Sequence, residues 1–180
     1  LISTLAACGD VNRNVMAPPT PPTDPLGERI RECAREVALA LAPRTEAYHA
    51  IWVDGVQLEL EAPKARDFTD PLYGKTYLPR KFKMAVAIQP SNDVDLWSQD
   101  VSFIPHVVNG EVEGYTITVG GGFGMSHGQL TTRPFLAQPL FYVKRAHVVD
   151  ATEAIVTTQR DHGNRTERKN ARMKYTVQTM

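Results

Sequence analysis

Tyr77-Leu-Pro-Arg-Lys-Phe-Lys-Met-Ala-Val-Ala-Ile88 is the stretch around which the chain is arranged. Three cations, Arg80, Lys81 and Lys83, lead straight into an apolar run. Pro79 cannot donate a ladder hydrogen bond, so it belongs at a strand start. Side chains alternate between the two faces of a strand. Lys81 and Lys83 therefore share one face, and Arg80 and Phe82 take the other. Two ammonium groups on one face repel each other unless an anion lies between them. Taken alone, the segment reads as a solvated strand end guarded by lysines. The sharper reading is an anion site at the mouth of a sheet.

Working outward, further strands are predicted on both sides. Val101 to Val108 is followed by Asn109-Gly110, a strong hairpin signal, and Gly114 to Val119 returns with clean alternation. Upstream, Ala50 to Val53 and Val56 to Leu60 flank an Asp54-Gly55 turn. Asp24 is a candidate N-cap with Pro25 at the first helical position. Ile30, Cys33, Ala34, Val37, Ala38 and Leu41 then recur at helical spacing until Pro43. Val148 to Gln159 predicts a second helix, with Asp150 and Glu153 in its first turns, where negative charge suits the dipole. Cys8 to Asn14 reads as a polar turn, Glu61 to Lys75 as a loop and Arg133 to Val143 as irregular. The expected fold is α+β: a mixed, largely antiparallel sheet of about five strands with helices packed mainly on one face. The expected organisation is a single domain over 1–180, a fragment of something longer because the chain starts with Leu1. Residues 16–25, rich in proline, form a linker within it.

With 180 residues, 42% hydrophobic and 22% charged, the chain can bury one real core. Twenty basic residues balance 20 acidic ones, so bulk charge does not support a nucleic-acid-coating role. Any anion site must come from local clustering. No apolar run reaches the roughly 20 residues a membrane span needs, and Leu1 to Ala7 lack the basic lead of a signal peptide. Two cysteines, Cys8 and Cys33, make neither a disulfide framework nor a closed metal site, so no metal ligands are assigned. A reducing cytoplasmic setting is the default.

Three further features carry chemistry. Arg13 stands between Asn12 and Asn14, either in an exposed turn or in a loop that aims its guanidinium at an anion. Gly120-Gly-Gly-Phe-Gly-Met-Ser-His-Gly128 follows a strand without the Lys-Ser/Thr of a phosphate loop, and its length argues for contact with a large flat ligand. His127 within it reads as a loop histidine. Between Arg160 and Lys174, six basic residues face two acidic ones. That run suits a solvated helix, a nucleic-acid patch or a site for several carboxylates; no aromatic interleaves it to stack bases.

Four segments together resemble the sulfite and nitrite reductase hemoprotein family, in order and with compatible spacing. They are Cys8-Gly-Asp-Val-Asn-Arg-Asn-Val15, Tyr77-Leu-Pro-Arg-Lys-Phe-Lys83, Val119-Gly-Gly-Gly122 and Thr158 to Tyr175. The second and fourth are specific, and the likeness covers nearly the whole chain. Asn92 to Leu96 also looks like the bacterial assimilatory sulfite-reducing branch, the hemoprotein (beta) subunits. The resemblance implies a siroheme enzyme of sulfur assimilation and cysteine biosynthesis that reduces sulfite to sulfide with six electrons. By position, Arg13, Lys81 and Lys83 become substrate-binding and proton-supplying cations. Arg80, Arg165, Arg168 and Lys169 become contacts for siroheme carboxylates, and Gly120, Gly121 and Gly122 lie close to the macrocycle. Lys83 leans to sulfite, because the nitrite branch typically has asparagine there; a siroheme nitrite reductase domain is the alternative. A non-catalytic tetrapyrrole- or anion-binding module is the reading from another class. The family's [4Fe-4S] cluster needs four cysteines in two pairs, so its ligands are expected outside this chain. The expected partners are sulfite, the remainder of the hemoprotein and an NADPH-dependent flavoprotein, favoured over ferredoxin, with no nucleic acid and no membrane.

Overall fold

The computed structural model describes residues 10–44, 51–54, 56–58 and 69–180. Its sheet grows from the hairpin that Asn109-Gly110 demands. Both residues have positive φ, 52° and 82°, which closes a two-residue turn between β5 (Val101–Val108) and β6 (Glu111–Val119). On the far side of β6 lies β7 (Gln138–Lys144), also antiparallel. On the other side of β5, β4 (Phe82–Val86) pairs parallel, and β1 (Asn12–Met16) pairs parallel with β4. The order is β1-β4-β5-β6-β7. A separate antiparallel hairpin joins β2 (Ile51–Val53) to β3 (Val56–Leu58). The sheet is therefore mixed, and with that hairpin the antiparallel ladders outnumber the parallel ones.

The helices cover one face of the sheet. The first, α1 (Pro25–Ala40), is capped by Asp24, whose side chain accepts from the Gly27 N–H at 2.7 Å. Its Ile30, Cys33 and Val37 share a core with Val148, Ile155 and Val156 of α2 (Val148–His162) and with Met173 of α3 (Met173–Thr179). Phe82, Met84, Val86, Phe103 and Ile117 reach that core from the sheet. Each large side chain so buried contributes about 1.5–3 kcal/mol. The opposite face holds only a small cluster of Ala85, Ala87, Val94 and Leu96. That leaves the sheet thinly covered where Lys83 emerges.

Two strands differ from expectation. Asn12 to Met16 is an edge strand, not a turn: polar residues are tolerated there because one side of the strand has no partner. Gln138 to Lys144 is a strand despite Pro139, because β7 is the other edge and Pro139 sits beside a register irregularity. The expected strand ends at Ala50, Glu59 and Leu60 lie outside the described residues, as do Cys8 and the loop from Glu61 to Phe68. Among the described residues, no helix is long and apolar enough to cross a membrane.

Candidate active site

Parallel pairing sets the site. Strands β1, β4 and β5 all begin at one end of the sheet, and β6 finishes there, running into Gly120. Three cation-bearing segments meet at this end. Arg13 occupies the register shift between Asn12 and Asn14, so it is the residue that a bulge leaves outside the ladder. Lys83 stands beside Asn14 in the next strand. Arg80 and Lys81 precede β4, so the expected alternation is seen only from Phe82 onward, where Phe82 is buried at 1% exposure and Lys83 is half-buried.

The electrostatics show how closely these groups gather. The Lys83 ammonium is held below the ordinary lysine pKa first by burial and next by Arg172; Asp100 opposes this, and Lys81 and Arg13 add to it. Three cations, Arg172, Lys81 and Arg13, thus act on Lys83 from three segments, with one carboxylate among them. Among the described residues, Arg13, Arg80, Lys81, Lys83 and Lys169 form no ion pair. Such an arrangement repels itself when empty and gains when an anion enters.

Beneath Lys83 lies a pair that sequence reasoning missed. Asp100 is wholly buried, and Arg172 Nε and Nη2 donate to its Oδ1 at 3.2 and 2.9 Å. Its Oδ2 accepts from the Lys83 N–H at 3.1 Å. Burial pushes the Asp100 carboxyl pKa up, while Arg172 and the Lys83 contacts hold it down. The three bonds to its oxygens all come from donors, which favours the ionised form. Arg172 Nη2 also donates to the Gly121 carbonyl at 3.2 Å. In the sequence Arg172 is one charge in a basic run; no local pattern distinguishes it from its neighbours.

Lys174 is equally hidden in that run. It is buried at 2% exposure, and its Nζ donates to the carbonyls of Gly122, Gly124 and Arg133 at 3.1, 2.8 and 2.6 Å. It staples the loop after β6 to α3 and is not a surface charge. Gly120, Gly121 and Gly122 are buried against protein, whereas Gly124 and Gly128 are exposed. Gly120 has φ of +80°, and a Cβ on Gly122 would lie 2.7 Å from Arg172 Nη1. Gly121 abuts the backbone of Trp97 and Gln99.

The late basic residues divide. The Nη groups of Arg165 donate to Thr76, to the Tyr77 carbonyl at 2.5 Å and to the Arg160 carbonyl, which ties its loop to the start of the cationic segment. Arg168 is mostly exposed and 3.8 Å from Asp10; Lys169 is exposed; Arg80 is half-buried. His127 is exposed in its loop. Cys33 packs in the core, where burial pushes its thiol up to about 11, so it stays protonated. Among the described residues, no group of three or more His, Cys, Asp or Glu side chains could hold a metal ion.

The family model for the nitrite and sulphite reductase 4Fe-4S domain matches residues 33–180. The chain belongs to this family. It is 48% identical over 177 residues to the sulfite reductase [NADPH] hemoprotein beta-component of Staphylococcus saprophyticus, covering 98% of this chain and 31% of that protein. To the protein of the same name from Shewanella baltica it is 47% identical over 176 residues, covering 98% of this chain and 31% of that protein. The chain thus spans about a third of the length of these relatives. Its fold is similar to that of the Mycobacterium tuberculosis NirA protein, with a TM-score of 0.62 and 24% identity over 96% of this chain and 25% of that chain. The family match begins inside α1, so β1 and Arg13 lie before it.

Proposed function

We propose that this chain is the substrate- and siroheme-cradling domain of an assimilatory sulfite reductase, which reduces sulfite to sulfide with six electrons. The observation that carries the reading is the convergence of Arg13, Lys81 and Lys83 at one end of the sheet, with Lys83 bonded to the buried Asp100. Sulfite is a small oxyanion, and its oxygens leave as water, so its reduction consumes protons. A lysine can both pair with the anion and donate a proton, and a lowered pKa brings it nearer to the working range. Arginine stays charged and orients the anion through its planar fork. Lys81 and Lys83 are the proposed proton donors, and Arg13 the orienting group.

The residues fit a polycarboxylate cofactor. Arg80 and Lys169 form no ion pair among the described residues, and Arg168 has only the distant Asp10. In this reading they would serve as basic partners for the cofactor's carboxylates. Arg80, Arg168 and Lys169 would hold siroheme carboxylates, Arg165 would hold the adjoining loop in place, and Gly120, Gly121 and Gly122 would shape the floor. When bound, siroheme supplies the iron and the conjugated ring through which electrons reach the substrate. A [4Fe-4S] cluster would take its cysteines from outside this chain. The partners would be the remainder of the hemoprotein and an NADPH-dependent flavoprotein, in the cytoplasm.

The test uses the full-length hemoprotein that contains this chain. Lys81→Ala and Arg13→Ala are expected to keep the siroheme absorbance and lose most sulfite reduction. Arg168→Ala with Lys169→Ala is expected to lower siroheme content. Wild-type turnover by Lys81→Ala and Arg13→Ala would overturn the substrate assignment. A tetrapyrrole spectrum without any sulfite turnover in the wild type would favour a non-catalytic module.

A further inference from the structure

The Asp100–Arg172 pair touches neither role assigned above, yet it is tied to Lys83 at every level. Burying Asp100 against a part-exposed Arg172 carries a desolvation cost, so the pair is weak ground for stability by itself. The Asp100 side chain accepts from the Lys83 N–H at 3.1 Å, and the Asp100 N–H donates to the Lys83 carbonyl at 3.0 Å. Both bonds hold the backbone of Lys83 to the start of β5. The Asp100 carbonyl accepts from the Gly120 N–H at 2.9 Å, which adds the end of β6. Arg172 brings in the N-cap of α3.

We propose that Asp100 and Arg172 are positioning residues that fix where Lys83 stands and set the field its ammonium meets. The inference rests on the reading of Lys83 as a substrate-facing group. Arg172 cannot swing away freely: its guanidinium is forked on Asp100, bonded to the Gly121 carbonyl and packed where Gly122 lacks a Cβ. It therefore presents a fixed positive charge from beneath, and Asp100 a fixed negative one. The other charged groups facing Lys83 are Lys81, just before β4, and Arg13, in β1. Arg172 pushes the Lys83 proton off and Asp100 holds it on. Removing the two members one at a time must move Lys83 in opposite directions. A pair that served only to hold the fold would not do this.

The experiment reads Lys83 directly in the full-length hemoprotein. Competitive labelling with acetic anhydride across pH, quantified by mass spectrometry on the Lys83 peptide, gives the pH at which that amine deprotonates. D100N is expected to lower this midpoint and R172Q to raise it, each by about one pH unit. If either single variant fails to fold, the D100N/R172Q double variant, which keeps polar side chains at both positions, is expected to raise it. Midpoints unchanged, or moved the same way in both single variants, overturn the inference. Calorimetric titration with sulfite separates this from the reading beneath it. If Lys83→Ala leaves sulfite affinity unchanged while the midpoints move as expected, Lys83 is not a substrate group and the pair still governs it.

Discussion

Lys83 is where the choice between anions would be made. Sulfite can carry two negative charges and nitrite carries one, so a second cation matters more for sulfite. Truncating one partner of a close charge pair costs about 2–5 kcal/mol. Lys83→Asn in the full-length hemoprotein is therefore expected to lower kcat/KM for sulfite by tenfold or more (about 1.4 kcal/mol per decade), and for nitrite by clearly less. Steady-state kinetics with both anions on one preparation checks this; equal losses sink the assignment. The lowered pKa of Lys83 has a pH consequence of definite sign. Its charge is present below that pKa and lost as pH rises through it. Sulfite affinity should accordingly begin to fall at a pH below that of an ordinary lysine, 10.5. Calorimetry from pH 7 upward would show the early loss, and a fall that tracks an ordinary lysine would contradict it.

At the scale of elements, the loop after β6 holds the site together, and two substitutions probe it. Gly122→Ala places a methyl 2.7 Å from Arg172 Nη1, so the guanidinium must shift from Asp100. Overpacking of this kind costs about 1–3 kcal/mol. The expected result is a lower Tm for the full-length hemoprotein, together with weaker sulfite turnover. Lys174→Met removes the donor for three carbonyls. Leaving a buried acceptor unpaired costs about 1–3 kcal/mol, so the segment from Gly122 to Arg133 should exchange its amide hydrogens faster. Mass-spectrometric hydrogen exchange reads that segment locally, and unchanged protection would show the staple to be dispensable. These residues mark the limit of what the sequence makes legible. The Asp24 cap, the stripe on α1, the Asn109-Gly110 turn and α2 each rest on local chemistry and were readable. The edge strands β1 and β7 were not, because an edge tolerates polar residues and proline that a central strand rejects. Arg172 and Lys174 were unreadable for a different reason: burial and partners 41 or more residues away decide their roles, and a basic run looks the same whether its members face water or carbonyls. The residues alone showed the cationic cluster as separate pieces and the family resemblance joined them; the parallel pairing of β1 with β4 brings the Arg13 bulge next to Lys83.

For the whole molecule, the decisive quantity is how much of the proposed enzyme this chain supplies. It covers 31% of the length of the Staphylococcus saprophyticus relative. The proposed site is a set of cations, whose role would be to bind and orient an oxyanion and deliver protons. None of those groups carries electrons. The only free thiol among the described residues, Cys33, is buried in the apolar core and held protonated. One more thiol, Cys8, completes the chain's two, whereas a four-cysteine cluster needs four. The edge strand β7 also leaves Leu140, Phe141 and Tyr142 exposed at 51%, 42% and 46%, so this sheet edge is uncovered in the chain by itself. The 180 residues expressed alone are therefore expected to show no methyl-viologen-dependent sulfite reduction. The full-length hemoprotein, assayed beside them, is expected to show it along with a siroheme spectrum. Turnover by the isolated chain would mean that electrons can reach sulfite without the cluster, and would overturn the division of labour in which this chain supplies cations and protons only.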